Sequence, residues 1–323
     1  MRESETALEM FESLRPEIAS FCYRMLGSPD EADDAVQETR IRVWRRWDTF
    51  RGDSPVAFRT WVYRIASNLC LDKLRQARRR ALPVDLSDPA AAIVQPRETL
   101  PASRWVWPVP DDAFDPEEIA IRRDTLRLCF IALLQTLPPR QRAVLILKDV
   151  FDWPSRQIAE ALDMSTAAVN SALQRARTSV GRTALRSVGL SEGGSEPDRD
   201  LLARYVEAFE RYDVEALVAL FHEEGCMSMP PFVMWVRGRE SLARFFPLVR
   251  WHCEGSRFLP VTVNGGHPAL AHYVPDQSDP SVLIPWGIHV PEMKDGKIWH
   301  VQNFIDPDLR LFPRFGLPAR LSR

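Results

Sequence analysis

The sequence of 323 residues lacks the features of an exported or membrane-spanning protein. No apolar run approaches the roughly 18 residues that a membrane-spanning helix needs. The N-terminal stretch MRESETALEMFESLRPE is acidic and has no apolar signal core. Cysteines are few: five are scattered along the chain, and none forms a C-x-x-C pair. This pattern favours reduced thiols over a disulfide framework or a zinc site. We therefore expect a cytoplasmic protein with no membrane association, no metal and no cofactor.

The net charge of −2 conceals an uneven distribution of charge along the chain. Residues 83–119 carry a net charge of −6, and residues 120–189 carry +6. The helix-like stretch FRTWVYRIASNLCLDKLRQARRR, residues 58–80, contains six arginines. Arginine-rich stretches on both sides of an acidic segment indicate a polyanionic partner for those two stretches. Taken singly, each charge run is also compatible with a solvated helix face.

Changes in hydrophobic period divide the chain into five parts. The parts are a helical domain over 6–82, an acidic proline-rich linker over 83–116, a helical domain over 117–187, a flexible linker over 188–197 and a last domain over 198–323. The last domain begins with amphipathic helices, predicted at 198–211, 213–224 and 239–250. Several short β-like runs follow them. The predicted fold class is therefore multidomain, with two all-α helical domains followed by an α+β domain.

The helix predicted over residues 58–80 has two different faces. One face is an apolar stripe at helical spacing, formed by Phe58, Val62, Ile65 and Leu69. The other face combines an aromatic ring and an amide with charged groups: Trp61, Arg64, Asn68, Asp72 and Arg75. Stacking surfaces beside phosphate-binding groups suit separated nucleic-acid strands, where each stacked base contributes about 1–3 kcal/mol. The alternative is that Trp61 and Tyr63 only pad the core.

Residues 154–180, PSRQIAEALDMSTAAVNSALQRARTSV, have the pattern of a helix-turn-helix. Asp163 lies in the turn, where it tolerates a left-handed conformation, and Ser165 is placed to cap the second helix. Small or polar side chains are predicted on the outer face of that helix: Thr166, Ala167, Asn170, Ser171, Gln174 and Arg175. Such groups fit a major groove, where each good bidentate base contact contributes about 1–3 kcal/mol. An ordinary helical hairpin is the alternative.

Three ordered motifs resemble the extracytoplasmic-function (ECF) branch of the sigma-70 family of RNA polymerase sigma factors. Residues 30–50, DEADDAVQETRIRVWRRWDTF, and residues 58–80 resemble region 2 of that family. Residues 133–177, LLQTLPPRQRAVLILKDVFDWPSRQIAEALDMSTAAVNSALQRAR, resemble region 4. The resemblance covers most of residues 6–185. It implies a non-enzymatic subunit that directs core RNA polymerase to promoters with −35 and −10 elements and initiates transcription.

The resemblance also assigns roles to individual positions. On the polymerase-docking segment lie Asp34, Gln37, Glu38, Arg42 and Trp44. The loop that captures a flipped −10 base contains Phe50, Arg51, Asp53 and Ser54. The −10 helix carries Trp61, Tyr63, Arg64, Asn68, Asp72 and Arg75. On the −35 helix lie Ser165, Thr166, Ala167, Asn170, Ser171, Gln174, Arg175 and Arg177. Two positions depart from the family pattern, because Asp163 replaces the usual turn glycine and Pro154 occupies the usual capping position.

Residues 198–306 resemble the SnoaL-like group of the NTF2-like fold, a cone of helices wrapped by a bent sheet. The resemblance implies that this domain tunes the sigma factor in cis. The residues expected to line a pocket for a small apolar ligand are Met229, Phe232, Trp235, Phe245, Trp286 and His289. All six histidines fall in this domain without metal-ligand spacing. Catalytic relatives use an aspartate and a histidine, for which Asp306 is an acidic candidate.

Two alternatives remain at this point. The first is a helix-turn-helix regulator that binds DNA without polymerase. Residues 29–50 argue against it, because such a regulator needs no docking face. The second is a ligand-sensing or enzymatic SnoaL-like domain fused to a DNA-binding helix-turn-helix. The partners that follow from the leading reading are core RNA polymerase and promoter DNA. A small-molecule ligand of the last domain and an anti-sigma factor are further candidates.

Overall fold

The computed structural model of the chain describes residues 2–76, 80–90, 99–184 and 195–323. The chain divides into two compact units. The first unit comprises Met1–Arg80, Val106–Pro108 and Asp112–Arg186, and the second comprises Ala81–Trp105, Val109–Asp111 and Ser187–Arg323. Most of the predicted linker over 188–197 lies outside the described residues. Across the described ranges, no helix combines the length and the apolar character needed to cross a bilayer.

The described residues of the first unit form eight α-helices. Their bounds are α1 Arg2–Leu26, α2 Pro29–Arg45, α3 Pro55–Gln76, α4 Pro116–Leu126, α5 Leu128–Gln135, α6 Pro139–Leu145, α7 Ser155–Leu162 and α8 Thr166–Ala184. A π-helical turn over Ile146–Val150 follows α6.

A glycine and a capping serine separate α1 from α2. Gly27 adopts φ +67°, which glycine reaches without steric cost. The Ser28 hydroxyl then accepts a hydrogen bond from the backbone N–H of Glu31 at 3.4 Å, and Pro29 occupies the first helical position. The predicted apolar stripe of α3 is confirmed, since Phe58, Val62, Ile65 and Leu69 are each at most 7% exposed.

Buried guanidinium groups join α1 to the later helices of the first unit. Arg24 is fully buried and pairs with Glu118 of α4 at 2.8 Å. Arg142 of α6 donates to the backbone carbonyls of Met25 and Leu137. Buried charges persist only when they are paired and hydrogen-bonded. The two helical domains predicted from the sequence are therefore packed into one body, with α3 lying against α7.

The second unit is an α+β domain built around one seven-stranded sheet. Its helices are α9 Glu196–Glu210, α10 Val214–Leu220, α11 Arg239–Cys253 and α12 Leu311–Arg314. Its strands are β1 Phe221–Ser228, β2 Trp235–Arg237, β3 Arg257–Val263, β4 His267–Pro275, β5 Val282–Lys294, β6 Lys297–Ile305 and β7 Leu321–Ser322. The sheet order is β2-β1-β6-β5-β4-β3, with β7 added to β5. Only the β1–β6 pairing within this sheet is parallel.

One predicted helix is shorter than expected. The periodicity predicts a helix over 213–224, whereas α10 ends at Leu220 and the following residues form β1. The strand forms because β1 pairs with the nearby β2 and with β6, which is distant in the sequence. A side chain at Gly225 would lie 2.9 Å from the Ile298 carbonyl oxygen, so this pairing needs a glycine.

Described residues of the predicted acidic linker pack against the last domain rather than forming a free connector. The Trp235 indole donates to the carbonyl of Ser87 at 2.9 Å, and the N–H of Ala90 donates to the carbonyl of Trp235 at 2.9 Å. The N–H of Leu100 donates to Pro231 at 3.0 Å. Further along, Val109 and Asn264 exchange two hydrogen bonds of 3.0 and 3.1 Å. The proline-rich composition predicted an irregular path, but not this attachment.

Candidate functional site

Helix α8 presents the predicted −35 face to solvent. All eight predicted side chains are exposed: Ser165, Thr166, Ala167, Asn170, Ser171, Gln174, Arg175 and Arg177. The opposite face is buried, since Val169 and Ala176 have no exposed surface. The turn before the helix has the predicted chemistry. Asp163 is left-handed, with φ 53° and ψ 56°, and the Ser165 hydroxyl accepts from the N–H of Ala168 at 3.1 Å.

Two side chains on this face already have partners. The guanidinium of Arg177 donates to both carboxylate oxygens of Asp149, at 2.6 and 3.0 Å. The Asn170 amide oxygen accepts from the Ser155 hydroxyl at 3.2 Å. Both contacts are solvent-exposed and replaceable by water or DNA. Arg177 is therefore oriented by Asp149. The sequence did not predict this contact with a carboxylate.

The predicted −10 face of α3 is exposed along most of its length. Arg64, Asn68, Asp72 and Arg75 are all exposed. Trp61 is half-buried, with its ring centroid 5.3 Å from that of Phe50. The ring is thus held in place by other aromatic side chains while one side stays accessible. This geometry is suited to stacking against an unpaired base.

Tyr63 is an exception to the predicted −10 face, because the structure buries it completely. Its ring lies 4.6 Å from that of Trp153 and 5.2 Å from that of Phe21, and its hydroxyl donates to Glu17. Burial raises the pKa of Tyr63 well above its usual value, with the Glu17 carboxylate as a second cause. Helical period alone could not show that the chain around Trp153, distant in sequence, covers this side of α3.

The loop between α2 and α3 borders an open cleft of about 720 Å³. The predicted loop residues Phe50, Arg51, Asp53 and Ser54 all line it, together with Trp47. Phe50 stacks on Trp47 at a centroid distance of 5.4 Å, and the other three predicted side chains are exposed. The cleft therefore combines an aromatic wall with polar groups at its edge.

Helix α2 exposes the predicted polymerase-docking residues. Asp34, Gln37 and Trp44 are exposed, Trp44 by 52%. Glu38 and Arg42 are half-buried and form an ion pair at 2.8 Å. A large exposed aromatic ring beside charged groups is typical of a protein–protein contact surface.

The last domain contains a cavity of about 160 Å³ inside the cone. Five of the six predicted pocket residues line it: Met229, Phe232, Phe245, Trp286 and His289. Trp235 was wrongly placed there, because its indole points to the linker carbonyl of Ser87. The lining also includes residues that the sequence did not single out, namely Phe209, Trp251, His252, His272 and Asn303. No local pattern marks them, since they come from four different elements.

The acidic group proposed for acid–base chemistry is used structurally. The Asp306 carboxylate accepts from the N–H groups of Arg310 and Leu311 at 2.8 and 2.6 Å, at the start of α12. Among the described residues, no lysine, arginine, aspartate or glutamate lines the cavity. No group of three or more metal-ligating side chains is found in the same described ranges. The pairing of an aspartate with a histidine inside the cone is therefore not formed.

A helix-turn-helix with an exposed second helix, a separate helix with an exposed aromatic and charged face, and an α+β domain with a cavity define a class: helical modules joined to an NTF2-like domain. Family models agree with this class. They match Sigma-70 region 2 at residues 10–80, Sigma-70 region 4 at 127–180 and a SnoaL-like domain at 202–301.

Curated relatives extend the match over nearly the whole chain. The ECF RNA polymerase sigma factor SigG of Mycobacterium tuberculosis is 42% identical, covering 96% of this chain and 83% of the relative. SigJ of the same species is 30% identical over 92% and 91% of the two chains. The crystal structure of M. tuberculosis SigJ superposes with a TM-score of 0.61 at 26% identity, covering 96% and 98%. The chain belongs to the ECF RNA polymerase sigma factors that carry a C-terminal SnoaL-like domain.

Proposed function

We propose that the chain directs core RNA polymerase to promoters, with α8 reading the −35 element, α3 and the Phe50–Ser54 loop engaging the −10 element, and α2 contacting the polymerase. The observation that carries this proposal is the exposure of all eight predicted −35 side chains on a helix whose other face is buried. The similarity to SigG and SigJ supports the same role. We also propose that the protein acts in the cytoplasm, where the polymerase works.

The packing of α3 against α7 adds a step to this function. Trp153 and Phe151 cover Tyr63, and the Arg59 guanidinium lies 4.7 Å from the Trp153 ring. If Tyr63 takes part in reading the −10 element, the side of α3 that Trp153 and Phe151 cover must become accessible. We propose that the two sigma modules separate when the chain binds polymerase and promoter. The closed packing then limits promoter binding by the chain alone.

We further propose that the SnoaL-like domain tunes the sigma factor by holding the linker. Ser87, Ala90 and Leu100 are hydrogen-bonded to the segment between Pro231 and Trp235. A linker fixed on this domain restricts the distance that the two sigma modules can move apart. Through this restriction, the SnoaL-like domain can change the activity of the sigma factor without catalysing a reaction.

An enzymatic role for the SnoaL-like domain is the weaker candidate. General acid–base catalysis needs two groups of suitable pKa near one substrate. Asp306 is committed to capping α12, and burial holds the pKa of His289 at about 3. The lining suits binding better than proton transfer. An anti-sigma partner stays a prediction from the sequence.

Run-off transcription with purified core polymerase tests the proposal. Templates carrying selected random promoters should yield defined transcripts only when the full chain is added. Transcription without added chain, or specific DNA binding with no association to core polymerase, would favour the helix-turn-helix regulator instead.

The linker contact is tested in the same assay with Trp235→Phe, which keeps the ring but removes the donor to Ser87. Transcript yield should change relative to wild type, as it should on truncation after residue 190. The matched control is Trp299→Phe, because Trp299 contacts His222 and Lys294 in the same domain. Equal transcript yields from wild type and all variants would show that the SnoaL-like domain does not affect transcription.

A further inference from the structure

The exposed face of α8 has a central line of side chains with a flank on either side. The central line consists of Ala167, Ser171, Gln174 and Thr178, all of which are exposed. Spacings of four, three and four residues place these side chains on one side of the helix, opposite the buried Val169 and Ala176. A recognition helix that lies in the major groove with its exposed face turns this central line towards the base pairs.

Gln174 is the one long side chain of the central line. Ala167 ends in a methyl group and Ser171 in a hydroxyl group. The Thr178 hydroxyl donates to the backbone carbonyl of Gln174 at 2.9 Å, so its methyl group is the part left for an outside contact. Short neighbours let the helix approach the base edges closely. Within the central line, Gln174 therefore reaches furthest from the helix axis.

The side-chain amide of Gln174 is free to bind a base. Among the described residues it makes no hydrogen bond, because only the backbone carbonyl of Gln174 accepts one from a side chain. The adjoining flank differs, since the Ser155 hydroxyl donates to Oδ1 of Asn170 at 3.2 Å and the Arg177 guanidinium is held by Asp149. Gln174 can therefore offer its acceptor and its donors without breaking an internal contact.

The amide group matches the major-groove edge of one base. Its oxygen accepts a hydrogen bond and its nitrogen donates. Adenine presents the N6 donor beside the N7 acceptor, so a bidentate contact satisfies both amide atoms. Guanine presents two acceptors and thymine one acceptor beside a methyl group, so both leave the amide oxygen without a donor, whereas cytosine leaves the amide nitrogen without an acceptor. An amide atom that loses water without gaining a partner lowers the affinity for the wrong base.

The neutral amide also separates base reading from phosphate binding. Arg175 and Arg177 carry the positive charges beside the central line. Cationic side chains that contact phosphates make the affinity for DNA strongly dependent on salt. Gln174 has no charge with which to neutralise a phosphate. A substitution at Gln174 is therefore expected to change base preference while the salt dependence of promoter binding stays the same.

We propose that Gln174 reads one adenine of the −35 element through a bidentate contact, in which Oε1 accepts from the N6 amino group and Nε2 donates to N7. The inference rests on the proposed function of α8 as the reader of the −35 element. It adds the base that the centre of the face recognises and the side chain that determines this choice.

Run-off transcription with core polymerase tests the assignment on a promoter taken from the random selection, with each −35 position changed in turn to the other bases. For the wild-type chain, replacement of one particular adenine should lower the transcript yield about tenfold or more. Gln174→Met keeps the length of the side chain but lacks both amide atoms. Its preference for adenine at that position should fall to about twofold or less, with the other positions unaffected. Glu160→Ala, an exposed change on α7, is the matched control and should behave as wild type.

Modified bases test the two hydrogen bonds separately. Templates with 7-deazaadenine at that position lack the N7 acceptor, and templates with purine lack the N6 amino group. Each should lower the yield with wild type and cause little loss with Gln174→Met. Gln174→Arg should transfer the preference to guanine at the same position, because the guanidinium fork matches O6 and N7. A gained preference for guanine cannot arise from a chain that fails to fold.

The same assays show how the assignment would fail. Unchanged −35 preferences in Gln174→Met would exclude Gln174 as a reader. Loss of a preference for a base other than adenine would contradict the base assigned. A smaller salt dependence of promoter binding in Gln174→Met would indicate a phosphate contact instead. A wild-type chain that directs core polymerase to no promoter would overturn the proposed function itself, so the two failures are distinguishable.

Discussion

The two proposed DNA-reading helices of this chain differ in their accessibility. Helix α8 keeps its whole predicted −35 face exposed, although Arg177 is paired with Asp149. Helix α3 exposes Arg64 and Asn68 but buries Tyr63 beneath Trp153. One reading surface is thus complete, and the other is partly occupied by the neighbouring module of the same unit.

This difference indicates which step of promoter recognition needs a conformational change. A duplex −35 element can be read by side chains that are already exposed. Engagement of a melted −10 element by Trp61 and Tyr63 needs both rings accessible. Under the proposed function, engagement of the melted −10 element therefore requires α3 and α7 to part.

The largest effect is expected at the buried ion pair between α1 and α4. Glu118→Ala leaves the Arg24 guanidinium buried without its partner and should lower the free energy of unfolding of the first unit by about 3–5 kcal/mol. Chemical denaturation of the full chain measures this loss. The double variant Arg24→Met, Glu118→Leu should lose much less. A single-variant loss near zero would mean that the modules are not held together in this way.

Next in size is the effect of changes on the exposed face of α8. Asn170→Ala or Arg175→Ala should cost about 1–3 kcal/mol of discrimination at the −35 element, measured by run-off transcription from matched and mutated −35 sequences. Arg140→Ala removes an exposed charge from α6 and serves as the control. If all three variants keep the wild-type −35 preference, α8 is not the reading helix.

A comparable effect is expected on α3, but at a later step. Trp61→Ala should reduce promoter opening by a factor corresponding to about 1–3 kcal/mol, with closed-complex binding less affected. Permanganate reactivity reports opening, and filter binding at low temperature reports the closed complex. Trp61→Phe, which retains a stacking ring, should recover part of the opening. Equal losses in both assays would contradict a role in melting.

The smallest effect is expected at the surface contact between α3 and the C-terminal end of α7. Asp163 adopts φ 53°, and its carboxylate lies 3.7 Å from the exposed Arg64 guanidinium. Asp163→Gly relieves the left-handed conformation and removes a solvent-screened contact, so the stability should change by less than about 1 kcal/mol. Asp163→Val, which is strained at positive φ, should be clearly destabilising. Thermal unfolding of both variants distinguishes the two effects.

The sequence predicted the local structure of the first unit well. The Ser165 cap, the left-handed Asp163 and the buried stripe of α3 follow from helical period and capping chemistry. These features depend on residues within one or two turns of each other. The burial of Tyr63 depends on Trp153, 90 positions away, and local periodicity carries no such information.

The second unit was predicted less completely for the same reason. Short β-like runs were predicted in this domain because their alternation is local, and strands such as Lys297–Ile305 are found there. Strand β1 was taken for helix, since its character comes from pairing with β6. Five of the six residues predicted to line the cavity do so, whereas His272 and Asn303 reach it from β4 and β6 without any local pattern that marks them.

A distance measurement between the two modules tests the account most directly. Spin labels at Asn68→Cys on α3 and Glu160→Cys on α7, with Cys129→Ser, report their separation by pulsed electron paramagnetic resonance. If the modules part on binding, the free chain gives one short distance and the complex with core polymerase and promoter DNA gives a longer one. The same short distance in a transcribing complex would contradict it.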